Sequence, residues 1–158
     1  EEVLTLRPQE NYIIFQAGGV ELSSRLLEGA YPDYQYIIPT VSRLEGVVER
    51  DLLSQALKTV AVFLPRDSRR VVLEAAPHEE RLTVRVASGG GEGEVVVPFQ
   101  AQGEGLSALF NIQYLLEGLQ HFSGERCRVQ FSGATEPAVF RPEEKAERYL
   151  YVVMPIQG

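Results

Sequence analysis

At 158 residues, with 44% hydrophobic and 23% charged side chains, the chain has the composition of one folded domain with at most an appended piece. That balance excludes a disordered tail, and no apolar run approaches the roughly 20 residues that a membrane span needs. The formal charge of −7 excludes a surface coated in basic residues for nucleic acid. A local basic face stays open, because the 15 positive side chains are thirteen Arg and two Lys, a preference that suits phosphate contacts.

The opening Glu1-Glu-Val-Leu carries no signal pattern and reads as a strand entered partway. It predicts that the chain is the C-terminal part of a longer polypeptide. Short strands are expected over 3–6, 12–16 and 20–26, with Gly18-Gly19 as the hairpin turn. Glu28-Gly-Ala-Tyr-Pro-Asp-Tyr then breaks the pattern. Pro32 holds its predecessor extended and Asp33 favours a turn, so a domain boundary is expected through Pro39.

Next comes a strand over 44–48 and a helix over 51–64. Asp51 stands in its first turn, Leu53, Leu57, Val60 and Leu64 share one face, and Pro65 stops it. Strands are expected over 70–75, 81–87 and 94–99, the last two separated by the glycine-rich run 88–93. The same unit then recurs about sixty residues on. A strand over 106–110 leads to the N-cap Asn111. Ile112, Leu115, Leu119 and Phe122 form an apolar helix face ending before Gly124, and strands follow over 126–131, 138–140 and 149–154. The architecture predicted is α+β: a strand-helix-three-strand unit repeated twice, with antiparallel sheets and two helices on one face.

Little here suggests catalysis. His78 and His121 are far apart and lack Cys or carboxylate at ligand spacing, so no metal is expected. The run Gly89-Gly-Gly-Glu-Gly93 leads into a strand and lacks the Lys-Ser/Thr of a phosphate cradle. No serine has a nucleophile-elbow context, and no cofactor motif is present. The lone Cys127 cannot form an internal disulfide, which fits a reducing cytoplasm, and its alternation within 126–131 places it towards the core.

What stands out is apolar. Tyr31, Pro32, Tyr36 and Ile37, then Tyr114, then Val152, Met154, Pro155 and Ile156 lie in irregular segments or at element ends. Such residues suit a groove for peptide side chains, or equally the packing of an inter-domain junction. The C-terminal Met-Pro-Ile is the sharpest member. Proline ends the sheet ladder at about Met154, and an apolar end needs a surface to lie against.

Ala30-Tyr-Pro-Asp-Tyr, Phe110-Asn-Ile-Gln-Tyr-Leu-Leu and Tyr151-Val-Val-Met-Pro resemble, in order and spacing, the C-terminal part of the bacterial DNA polymerase III beta subunit, the sliding clamp. The similarity runs over 12–158. It implies the sliding-clamp (DNA clamp) fold, with 1–31 as the last strands of the second clamp domain, 32–39 as a linker and 40–158 as the third domain. It implies a non-catalytic processivity factor that dimerises into a ring around duplex DNA, in the cytoplasm and associated with the nucleoid. The partners implied are the DNA polymerase III catalytic subunit, the clamp loader, and other polymerases and repair proteins carrying short linear motifs.

Carried over by position, the partner-peptide groove would comprise Pro32, Ile37, Asn111, Tyr114, Pro137, Val152, Met154, Pro155 and Ile156. Its opposite wall is expected upstream of Glu1. Arg50 and Lys58 would face DNA, and Val62, Phe63, Glu92 and Glu94 would lie at the dimer seam. Tyr36 stands where the family often has a basic residue, and the ending Ile-Gln-Gly replaces an aliphatic-basic one. A second reading is a stand-alone truncated clamp that competes with the full ring or builds a non-standard one.

Overall fold

The computed structural model describes residues 3–31, 33–88, 91–144 and 149–157. The chain divides into two compact units, Glu1–Asp33 and Tyr34–Gly158.

The first unit is an antiparallel meander of β1 (Thr5–Pro8), β2 (Tyr12–Ala17) and β3 (Val20–Arg25). Gly18 and Gly19 turn the β2–β3 hairpin at φ 55° and 82°, a left-handed pair that side chains with a Cβ adopt at a cost. The register sets Leu6, Phe15 and Leu22 across from one another on one face. On the other face Glu21 accepts from Arg7 at 3.2 Å and from Gln16. Leu6, Val20 and Leu22 are exposed, so this small sheet is amphipathic with an open apolar side.

Among the described residues, the second unit holds two sheets and two α-helices. Its elements are β4 (Leu44–Glu49), α1 (Arg50–Ala61), β5 (Arg70–Ala76), β6 (Arg81–Ser88), β7 (Gly91–Pro98) and β8 (Gln100–Gly103). They continue with β9 (Leu106–Asn111), α2 (Ile112–Gln120), β10 (Arg126–Phe131), β11 (Ala138–Pro142) and β12 (Tyr151–Val153). One sheet runs β12-β11-β10-β4-β8 and the other β7-β6-β5-β9, with every pairing antiparallel. The two sequence copies therefore interlock. The strand entering each helix, β4 or β9, joins the sheet built by the other copy.

Alternation explains the core. Cys127, Val129 and Phe131 of β10 are buried, as are Val71 and Leu73 of β5 and Leu82, Val84 and Val86 of β6. Leu53, Leu57 and Val60 of α1 and Ile112, Leu115 and Leu119 of α2 close over them. Phe110 and Phe131, one from each sheet, meet with ring centroids 6.2 Å apart. Each buried ring contributes about 1.5–3 kcal/mol. The same burial pushes the Cys127 thiol up to about 12, so it stays protonated and unreactive.

The structure corrects several expected boundaries. The first helix ends at Ala61, short of Leu64. The N–H groups of Val62, Phe63 and Leu64 donate to carbonyls three residues back, and this tight last turn carries the apolar face up to Pro65. The second helix ends at Gln120 in the same way, with Phe122 N–H donating to Leu119. The glycine-rich run is partly strand, since β7 begins at Gly91. Four strands follow the first helix, because β8 has the polar sequence Gln-Ala-Gln-Gly and signals no strand; it forms on the edge beside β4. The last strand starts at Tyr151, later than the expected 149.

Candidate functional site

The C-terminal segment begins in the ladder. Val153 pairs with Ala138 and Val152 with Val139. Pro155 has no N–H to continue it, and the chain crosses to the other sheet, where Ile156 N–H donates to the Leu109 carbonyl of β9 at 2.7 Å. Val153 and Pro155 are buried while Met154 is 51% exposed and Val152 and Ile156 are half-buried. Extended alternation thus gives Val152, Met154 and Ile156 a common outer side. The β11–β12 register, carried one step further, sets Pro137 beside Met154.

Across from this segment, α2 starts where β9 ends. Asn111 is its N-cap, with its side-chain oxygen accepting from Gln113 N–H at 3.0 Å. Tyr114 follows in the first turn and is 52% exposed. Two tyrosines join the helix to the terminal strand: Tyr151 donates to the Tyr114 carbonyl at 2.8 Å and Tyr149 to the Gly118 carbonyl at 3.3 Å. Phe122 packs edge-on against Tyr149 at 4.8 Å. Desolvation, then Glu117, Tyr149 and Tyr114, hold the Tyr151 phenol above its ordinary range, so it remains a donor.

The structure therefore brings Asn111, Tyr114, Pro137, Val152, Met154 and Ile156 to one region. Pro155, between Met154 and Ile156, is buried. Asn111 is occupied as a cap. Ile37 is 49% exposed beside a single 3-10 turn, Tyr34–Tyr36. Pro32 lies outside the described residues. Tyr149 and Tyr151 were missed as contributors, although their i, i+2 spacing next to a strand already gave them a common side.

A second feature lies between the helices, an open groove of about 570 Å³ lined by Arg50, Asp51, Ser54 and Lys58 of α1 and by Gln113, Leu116, Glu117, Leu119 and Gln120 of α2. Arg50 is not a projecting cation here. It pairs with Asp51 at 2.9 Å and donates to the Phe122 carbonyl at 2.6 Å, stapling the two helices together. Lys58 is exposed in the last turn of α1. With two basic and two acidic side chains the groove is formally neutral.

A third feature is the β7 edge. Val62 is 81% exposed at the end of α1, and the Phe63 ring lies so close over Gly93 that a Cβ there would overlap it. Glu92 and Glu94 are exposed on the same strand, which among the described residues is an edge strand paired with β6. Among the described residues, no group of three or more His, Cys, Asp or Glu side chains converges as a metal site would.

Interlocked antiparallel sheets beneath two helices are the architecture of the sliding clamps. The DNA polymerase sliding clamp of Bacillus subtilis superimposes with a TM-score of 0.88 at 28% identity, over 98% of this chain and 41% of that one. The Bartonella birtlesii clamp, solved bound to griselimycin, gives 0.88 at 29% identity over the same shares. Residues 35–157 match the model of the DNA polymerase III beta subunit, C-terminal domain, and the chain belongs to that family. The beta sliding clamp of Synechococcus elongatus is 34% identical over 158 residues, 99% of this chain and 42% of its own length. The chain spans about 40% of the length of the curated relatives it matches.

Proposed function

We propose that this chain is the partner-binding part of a sliding clamp, a non-catalytic factor that keeps a DNA polymerase on its template. The observation that carries the reading is the apolar outer row Val152, Met154 and Ile156 beside Tyr114, a surface that suits short hydrophobic peptide motifs. Met supplies a soft, adaptable contact there and Tyr a rigid one. The partners are the DNA polymerase III catalytic subunit, the clamp loader, and other polymerases and repair proteins that carry such a motif. Ile37 belongs to the proposed rim. Residues 1–31 are the closing strands of a second domain, 32–39 the linker and 40–158 the third domain. The open apolar face of β1–β3 supports this allocation, since a face of that kind is covered in an assembled protein.

A tether of this type works by topology. A closed ring cannot leave duplex DNA sideways, so its inner face need only tolerate phosphates without reading bases. The near-neutral groove of α1 and α2 suits sliding better than gripping, with Lys58 as the projecting cation and Arg50 as a staple. Ring closure would use Val62, Phe63 and the β7 edge with Glu92 and Glu94, because an edge strand beside exposed apolar side chains favours association. The setting is the cytoplasm, at the nucleoid; no helix among the described residues is long and apolar enough to cross a membrane.

Titration with a fluorescently labelled peptide copied from a polymerase clamp-binding motif tests this reading. Saturable binding with a dissociation constant of roughly 1–100 μM is expected, and Met154→Ala should weaken it about tenfold. No binding in the high micromolar range, or binding indifferent to Met154→Ala, would refute it.

A further inference from the structure

We infer that Tyr151 is a positioning residue of the proposed groove, fixing the distance between helix α2, which carries Tyr114, and the segment that carries Val152 and Met154. The inference rests on the peptide-binding reading above and adds a determinant to it. Two independent contacts support it. The Tyr151 hydroxyl donates to the Tyr114 carbonyl at 2.8 Å, at the residue whose side chain stands on the opposite wall. The Tyr151 ring lies close against Gly118, where a Cβ would overlap its Cγ, Cδ1 and Cε1 carbons. Glycine is among the poorest helix formers, so its place in the interior of a nine-residue helix matches a need for close approach.

The spacing of the two tyrosines agrees with this role. Two residues of extended chain span at most about 6.7 Å, and the carbonyls of 114 and 118 are four residues apart along the helix, about 6 Å. The two donors can thus lie alongside the two acceptors, and they do so. Backbone pairing of Tyr151 with Phe140 fixes the strand side of this bridge. The groove walls follow immediately, at Val152 one residue on and at Tyr114 itself. Recognition sites need their contact groups held within about 0.5 Å, so the width of the groove depends on this bridge.

The test uses the same labelled peptide with Tyr151→Phe, Gly118→Ala, Tyr151→Ala and the Tyr151→Ala/Gly118→Ala double variant, with Met154→Ala as control. Tyr151→Phe keeps the ring and removes one hydrogen bond, so binding should weaken about threefold to tenfold, chiefly through faster dissociation, while the thermal midpoint stays within a few degrees. Gly118→Ala should weaken binding by a comparable factor when Tyr151 is present and add nothing once Tyr151 is Ala, a non-additivity that general destabilisation does not produce. If Tyr151→Phe and Gly118→Ala bind within twofold of the unaltered chain while Met154→Ala loses binding, the positioning role is wrong and the groove stands. If the unaltered chain does not bind the peptide, the groove reading fails and this inference falls with it.

Discussion

Glu45 shows how single side chains set conditions on this fold. It lies on β4 and accepts from Arg128 at 2.7 Å and Gln130 at 2.9 Å, both on the neighbouring strand β10. The Gln130 bond first, and then Arg128, hold its carboxyl below the ordinary glutamate range. A carboxylate favoured in the folded state stabilises above its unfolded titration range, and that share is lost as pH falls through the folded one. With the Glu45 side chain 37% exposed, solvent screens the pair to roughly 0.2–1 kcal/mol. Glu45→Gln is expected to lower denaturant stability by that amount at pH 7 and by less near pH 3. An equal loss at both pH values would show that packing, not charge, is involved. At this scale part was legible, because alternation within 126–131 placed Cys127 towards the core, where it is buried. Arg50 was not. Its charge was visible in sequence, but its capture by Asp51 and the Phe122 carbonyl depends on a residue 72 positions away.

At the scale of elements, α2 matters most because it carries Tyr114. It is nine residues long, a length at which an isolated helix is marginal, so it relies on tertiary packing and on its cap. Asn111 provides that cap, whereas the corresponding Glu49 of α1 makes no side-chain cap bond. Asn111→Ala should destabilise the chain by about 1 kcal/mol, a fall in melting temperature of about 2–4 °C, and Asn111→Asp should retain most of the stability. Calorimetry of the two variants decides it; equal midpoints for Ala and Asn would contradict the cap. Both helices were legible from apolar spacing, and Asn111 from its residue type. Strand β8 was not, since Gln-Ala-Gln-Gly has neither alternation nor β-branched side chains and is recruited by the open edge of β4. Likewise the helix ends fell short of the periodicity, because tight i−3 turns keep apolar residues facing inward after α-helical bonding has stopped.

For the molecule as a whole, the repeat was readable but its interlocking was not. Which sheet a strand joins is decided by contacts far along the chain, such as Leu73 against Ala108, 35 residues on, and Val129 against Gly46, 83 residues back, and local pattern says nothing about them. The same holds for the candidate groove. Its residues were recognisable as an apolar set, but the i, i+2 spacing of Tyr149 and Tyr151 says nothing of the helix carbonyls they reach, 31 and 37 positions away. The central claim is that this bridged surface receives partner peptides. The most direct measurement is peptide titration followed residue by residue through NMR chemical shifts. The account predicts concentration-dependent shifts at Tyr114, Val152, Met154 and Ile156, with Glu45 and Arg128 on the outer sheet face silent. Shifts confined to the Arg50–Lys58 groove between the helices, or none at all, would contradict it.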